Sequence, residues 1–327
     1  MKRVEIAAYG IPEEVARCAE SPDVGAPGTG EAVIEVLASP INPADVLLCH
    51  GTYAVRPPLP NTPGAECVGR VAAIGAGVTG LAPGDLVINV QRENWAQKRR
   101  VAAVDLIKLP AGIDIRQAAM LKVNPATARL MLDDFVKLER GDWIAQNVAN
   151  SAVGRMVIAI SKERGLRTVN LVRRPELIQE LRALGADLCL VDGPELPAQV
   201  RAAGANVRFA MDAVGGEGTA RLAAIVADGG TLCHYGSMTR ENPLVTNGDL
   251  IFRTLTFRGF MLGNALARRS RQQVCELYAE LAAGVVAGRL FAPVERVYPI
   301  EEIGPALAHA QGTRPGGKIL LAPNGMV

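Results

Sequence analysis

The alternation of apolar and polar positions changes character about a third of the way along the chain. Up to Leu121, short apolar runs are separated by glycine and proline turns. Strands are predicted over Arg3–Ala7, Ala32–Leu37, Cys67–Ala72 and Asp85–Val90, with Gly75, Gly77, Gly80 and Pro83-Gly84-Asp85 marking the turns. Short strands so spaced predict a compact antiparallel barrel. From Gln117 onward helical periods alternate with strands. The pattern predicts helices over Pro125–Phe135, Pro175–Leu184 and Thr219–Val226, and strands over Trp143–Gln146, Thr168–Val172, Leu188–Val191, Phe209–Val214 and Thr231–Tyr235. That alternation is the mark of a doubly wound parallel sheet. A strand over Leu255–Leu262, a helix over Ser270–Ala287, a strand over Val294–Pro299, a helix over Ile303–Gln311 and a strand over Lys318–Leu321 close the chain. The last pieces return to the style of the barrel, so the parallel sheet reads as inserted, with domains over 1–121 and 265–327 (barrel) and 122–264 (sheet).

One unit within the sheet carries chemistry. Asp142–Gln146 suits a buried strand, and Asn147–Gly154 is a run of small and polar residues suited to a tight crossing. In the helix that follows, Val153, Met156, Val157 and Ile160 recur at helical spacing while Arg155, Lys162 and Glu163 fall on the other side, and Gly165 ends it. Two parallel strands joined by a helix set the free N–H groups of the helix N-terminus beside the crossing, where they attract a phosphate. Of the glycines a dinucleotide motif wants, Gly154 alone is clearly in place, with Asn150, Ser151 and Ala152 small enough for a pyrophosphate to approach. The end of the second strand says more. An acidic residue there would bind ribose hydroxyls, but the chain has Arg173 and Arg174, which suit a 2′-phosphate and point to NADPH.

Composition narrows the partners. The 35 Lys and Arg against 33 Asp and Glu leave a net charge of +2, too small to suggest nucleic acid or an anionic membrane surface. The longest uncharged stretch, 71–84, has 14 residues and is broken by four glycines and a proline, so no segment is expected to span a bilayer. Arg3–Ala7 reads as a strand with no apolar leader before it, which predicts a cytoplasmic location. Cys18, Cys49, Cys67, Cys189, Cys233 and Cys275 form no C-x-x-C pair and read mostly as apolar fillers. A small-molecule substrate is the expected partner.

Taken together, these residues resemble the medium-chain dehydrogenase/reductase superfamily over essentially the whole chain, which implies a GroES-like β-barrel catalytic domain plus a doubly wound Rossmann nucleotide-binding domain, an α/β fold. Asn42-Pro43-x-Asp45, Gly51-Thr-Tyr53, Asn124-Pro-Ala-Thr127, Gln146–Gly154, Thr168–Arg173 and His234-Tyr-Gly-Ser-Met238 are similar to the 2-enoyl thioester reductases of fatty acid synthesis. The asparagine-rich crossing separates them from the quinone oxidoreductases of the same superfamily, which are the alternative. The resemblance implies NADPH-dependent reduction of a carbon–carbon double bond conjugated to a carbonyl. It implies cofactor contacts at Asn124, Ser151, Ala152, Val153, Gly154, Arg173, Arg174, Tyr235, Gly236, Ser237, Met238, Phe260, Met261, Leu262 and Lys318, and a proton donor at Tyr53. It also places Leu255–Leu262 at the edge of the nucleotide sheet, where pairing with a second copy would give a homodimer. Three positions depart from the family: Ala152 stands for a glycine, Met261 for an aromatic and Arg129 for a tyrosine.

The chemistry explains why a tyrosine is wanted. Hydride at the β-carbon of an enoyl thioester drives negative charge onto the carbonyl oxygen, and the α-carbon must then receive a proton. A phenol can hydrogen-bond that oxygen and supply that proton. The other reading of Tyr53 is a turn residue whose ring plugs the barrel, and Trp95 is open to a role as cleft wall or as packing. Zinc is not expected. Cys49 and Gly64-Ala65-Glu66 fall where the superfamily's alcohol dehydrogenases place a cysteine and a Gly-His-Glu segment, but Ala65 replaces the histidine and the four-cysteine structural lobe is absent. A non-catalytic NADPH-binding sensor on the same fold is the alternative of another class.

Overall fold

A computed structural model describes residues 1–312, 316–325 and 327. The chain divides into two compact units, Met1–Val123 with Cys275–Val327, and Asn124–Val274. The second crossing point lies inside the helix Arg271–Val286, ten residues beyond the 265 read from the sequence.

The first unit contains strands β1 (Lys2–Ile6), β2 (Ala16–Glu20), β3 (Glu31–Pro40), β4 (Cys67–Ile74), β5 (Leu86–Asn89), β6 (Lys98–Ala102) and β7 (Leu106–Lys108). The second holds β8 (Trp143–Gln146), β9 (Arg167–Val172), β10 (Leu188–Val191), β11 (Val207–Asp212), β12 (Val226–His234) and β13 (Thr256–Gly259). Strands β14 (Val294–Pro299) and β15 (Lys318–Ala322) complete the first unit. Its main sheet runs β14-β15-β3-β4-β5-β7 with β6 on β3, and apart from the parallel pair β14-β15 it is antiparallel. β3 is long because it serves three neighbours. Its inward residues Ala32, Ile34 and Val36 are fully buried against Cys67, Val71 and Val87, and alternation then supplies the barrel core.

In the second unit the order is β10-β9-β8-β11-β12-β13, all parallel among the described residues. All four residues of β8 are buried, as a central parallel strand requires. The crossover helix Ala152–Arg164 begins at Ser151, whose hydroxyl accepts from Gly154 N–H, and stops at Gly165 in the left-handed region, φ 68°. Two expectations need correction. Arg155 is buried rather than solvated, held by Glu180 at 2.5 Å and by the Asn150 carbonyl at 3.1 Å, while Val153 is only half-buried. The predicted Leu255–Leu262 strand is shorter: β13 ends at Gly259 and Leu262 opens a helix, Leu262–Ala267, because the neighbouring β12 stops at His234, whose carbonyl accepts the last ladder bond from Phe260 N–H. β13 is the edge of the sheet.

Candidate active site

Parallel strands deliver their C-terminal ends to one edge, and ligands of such sheets bind there. Four of the expected cofactor segments follow those ends: Ser151–Gly154 after β8, Arg173 and Arg174 after β9, Tyr235–Met238 after β12, and Phe260–Leu262 after β13. A side chain at the end of β11 ties the ends of β8 and β12 together. Buried Asp212 accepts from Asn147 (2.5 Å), Thr219 (2.6 Å) and the Val214 N–H (2.9 Å), and pairs with His234 Nδ1 at 2.8 Å. Burial alone would raise its pKa, but those hydrogen bonds hold it below the usual carboxylate range. Asn147 Oδ1 in turn accepts from the Ala213 N–H (2.8 Å), and Gln146 donates to the Gly154 carbonyl (3.0 Å) and to Asn170 (2.8 Å). Asn147 therefore braces the crossing, a role its sequence position does not announce. Gly154 packs where a Cβ would meet the Ala149 carbonyl oxygen at 2.5 Å, so glycine is obligatory there.

Arg173 is exposed and Arg174 half-buried, the latter 3.7 Å from Glu176, a separation too long for a hydrogen bond. Both guanidinium groups are available to an anion. Phe260 stacks in a tilted pair with Phe135 (6.2 Å), and Met238 and Met261 are exposed. Asn124, buried, opens the helix Asn124–Asp134 of this unit, whereas Lys318 belongs to β15 of the barrel unit. These free N–H groups, paired arginines and small residues fit a phosphorylated dinucleotide.

The barrel unit contains a network of buried charges that no local pattern marks. The helix Pro43–Cys49 starts with a capping box in which Asn42 N–H donates to Asp45 Oδ2 at 3.0 Å. Asn42 Nδ2 donates to Glu66 Oε1 (2.9 Å), its Oδ1 accepts from Lys318 Nζ (2.5 Å), and Glu66 Oε2 accepts from the Val123 N–H (2.8 Å). Lys122 Nζ donates to the carbonyls of Ala65 (2.5 Å) and Gln91 (3.1 Å). Burial pushes Glu66 up to about 7 against the pull of Lys318, and pulls Lys122 down to about 8 against the attraction of Glu66. Burial likewise lowers Lys318, whose ammonium lies inside although the residue is half-exposed. Both oxygens of Glu66 are committed to protein partners, and burial lifts the Cys49 thiol to about 12. With Ala65 offering no ligand, the residues do not fit a zinc ion, and no step is assigned to one.

Tyr53 lies just after this network, half-buried against the barrel core, with the Arg92 guanidinium 5.0 Å from its ring centroid. The chain has five tyrosines. Tyr9 donates to the Pro57 carbonyl, Tyr278 to the Lys122 carbonyl, and Tyr298 meets His309. The Tyr53 hydroxyl has no hydrogen-bond partner among the described residues. Trp95 is fully buried, its indole N–H 3.4 Å from the Pro40 carbonyl, so it is packing and walls no cleft.

Comparison with known proteins agrees with this geometry. Residues 28–111 match the alcohol dehydrogenase GroES-like domain, and residues 152–280 the zinc-binding dehydrogenase family. The chain is 32% identical to the mitochondrial enoyl-acyl-carrier-protein reductase of Dictyostelium discoideum, over 98% of this chain and 94% of the relative. Among solved structures it is similar to the Etr1p complex with NADP and crotonyl-CoA, Etr1p being a mitochondrial 2-enoyl thioester reductase of Candida tropicalis, with a TM-score of 0.86, 25% identity, and 98% and 99% of the two chains covered. It shares its fold with the Escherichia coli quinone oxidoreductase complexed with NADPH (TM-score 0.88, 22% identity, 99% and 100% covered). The expected cytoplasmic location is corrected by the relatives, which are named mitochondrial. The first residues could not have decided the compartment, because their pattern serves β1 and its pairing with β2. No helix among the described residues is long and apolar enough to cross a membrane. The chain belongs to the zinc-free branch of the medium-chain dehydrogenase/reductase superfamily, in the family of the enoyl-acyl-carrier-protein reductases.

Proposed function

We propose that this protein is an NADPH-dependent, zinc-independent reductase of activated carbon–carbon double bonds, with 2-enoyl thioesters as its substrates. The uncommitted hydroxyl of Tyr53 carries the reading, since a half-buried phenol normally finds a partner and this one is left for a ligand. When bound, NADPH supplies the hydride that adds to the β-carbon. Ser151–Gly154 present the helix N-terminus to its pyrophosphate, Arg173 and Arg174 take the 2′-phosphate, and Asn124, Tyr235–Met238, Phe260–Leu262 and Lys318 complete its contacts. Tyr53 donates a hydrogen bond to the carbonyl oxygen as charge develops there, then delivers its proton to the α-carbon of the enolate and recovers one from water. One hydride and one proton thus saturate the double bond.

NADPH oxidation against crotonyl and longer enoyl thioesters, quinones and small activated alkenes tests the proposal. Turnover should be fastest with the thioesters. Preference for quinones would move the protein to the quinone oxidoreductases, and tight NADPH binding without turnover of any acceptor would leave a sensor. The active form is proposed to be a homodimer. Supporting this, edge strand β13 lies close in sequence to exposed Leu250, Ile251 and Phe252, the last 84% exposed. Sedimentation at micromolar concentration should show two chains, and a monomer would reject the assembly.

A further inference from the structure

Arg92 holds a position that the reaction above leaves unexplained. Its guanidinium covers the Tyr53 ring at 5.0 Å on one side, and its Nη2 lies 3.8 Å from Oδ1 of fully buried Asp45 on the other. Those two buried atoms face each other with no hydrogen-bond partner among the described residues, so their attraction is electrostatic and directs the side chain without locking it. Asp45 is itself immobile, held by the Asn42 N–H in the capping box. Burial pushes its pKa up, and the charge of Arg92 is the largest influence opposing that rise.

The backbone on which Arg92 rides is pinned. The Gln91 carbonyl accepts from both Lys122 Nζ (3.1 Å) and Asn94 Nδ2 (2.8 Å), and the Arg92 carbonyl accepts from Arg99 (3.3 Å). Glu93 occupies the left-handed region at φ 68°, a conformation a side-chain-bearing residue adopts only when its surroundings impose it. Asn94, fully buried, anchors the far side through the Gly64 carbonyl (3.1 Å). A surface loop needs none of this to present a solvated arginine.

We propose that Arg92 is a positioning residue for Tyr53, its cation holding the face of the phenol ring so that the hydroxyl meets the substrate oxygen in one orientation. The inference rests on the assignment of Tyr53 as proton donor, and a double-variant cycle separates the two. Single-turnover NADPH oxidation with crotonyl thioester is measured for the full chain carrying Arg92→Met, Arg92→Lys, Tyr53→Phe and each Arg92 variant combined with Tyr53→Phe. Arg92→Met should lower the rate roughly 10- to 100-fold, the cost of misplacing a reacting group by about 1 Å, with NADPH affinity unchanged. Arg92→Lys, which keeps the cation, should restore a large part of that loss. In the Tyr53→Phe background Arg92→Met should cost less than about twofold.

Equal losses in both backgrounds would overturn the inference, as would a raised KM with unchanged kcat, which marks a substrate contact instead. A slow Tyr53→Phe variant beside an unimpaired Arg92→Met variant would refute Arg92 alone, whereas wild-type chemistry in Tyr53→Phe would refute both assignments. If Arg92→Met fails to fold because Asp45 loses its facing charge, the pair Arg92→Met with Asp45→Asn removes both charges and must show the same dependence on Tyr53.

Discussion

The nucleotide unit and the barrel unit prepare for their ligands by opposite means. Along the sheet edge of β9, β8, β11, β12 and β13, position is set first by backbone: strands end, and whatever follows is delivered to the edge, with Asp212 and Asn147 bracing the crossing. In the barrel unit, position is set by side chains brought from Asn42, Asp45, Glu66, Arg92, Lys122 and Lys318. A backbone-built edge leaves more room for exchange of side chains, as in a crossing with few glycines and with Ala152 where the family has glycine. A side-chain-built network has no such slack, since each charge left unpartnered in the interior costs several kcal/mol.

The comparison can be tested at its extremes. The largest effect is expected at Tyr53, where Tyr53→Phe should slow single-turnover reduction by about 10²- to 10⁴-fold with NADPH binding and melting temperature intact. On the nucleotide side, replacing both Arg173 and Arg174 by alanine should remove roughly 1.5–3 kcal/mol per contact to the 2′-phosphate, erasing most discrimination against NADH in parallel titrations. Unchanged NADPH affinity would remove the arginines from the site. Gly154→Ala probes a place where the backbone edge has no tolerance. Its Cβ would clash with the Ala149 backbone, so the crossover helix must shift, costing about 1–3 kcal/mol of stability and weakening NADPH binding. If Gly154→Ala binds NADPH normally, the close approach at the crossing is not what orders the edge.

The smallest effect is a slope with pH. Glu66 rises from its ordinary 4.5 to about 7 in the folded chain. A group raised in this way contributes stability that is complete below 4.5 and is lost as pH climbs through 7, because the folded state keeps a proton the unfolded state releases. Melting temperature should therefore fall across that window in the wild type and fall less in Glu66→Gln, when both are followed from pH 5 to 8. Parallel curves would mean that Lys318 and Lys122 keep Glu66 ionised throughout.

Much of the fold was legible because it is written in local periods. The apolar run Trp143–Gln146, the crossover helix with Gly165 at its end, and Val294–Pro299 coincide with observed elements. β6 was not legible: Lys98-Arg-Arg has no apolar alternation, and it pairs with β3 through the backbone ladder with Val101 turned into the barrel core, its charges meeting Asp23, Glu93 and Glu31. The end of β13 was misread because Phe260–Leu262 are apolar enough for a strand but lose their neighbour where β12 ends at His234.

Period, turn chemistry and the succession of strand and helix thus followed from sequence alone, along with the crossing, the paired arginines after β9 and the tyrosine in its Gly-Thr-Tyr turn. They are local properties, carried by residues a few positions apart. Which charges are buried is not. Asn42 meets Lys318 across 276 residues of chain and Glu66 across 24, and Arg92 reaches Tyr53 and Asp45 only because β-strand pairing folds their segments together. A lysine or glutamate in sequence looks like a solvated charge by default, and only the tertiary structure supplies the distant partners that make its burial affordable.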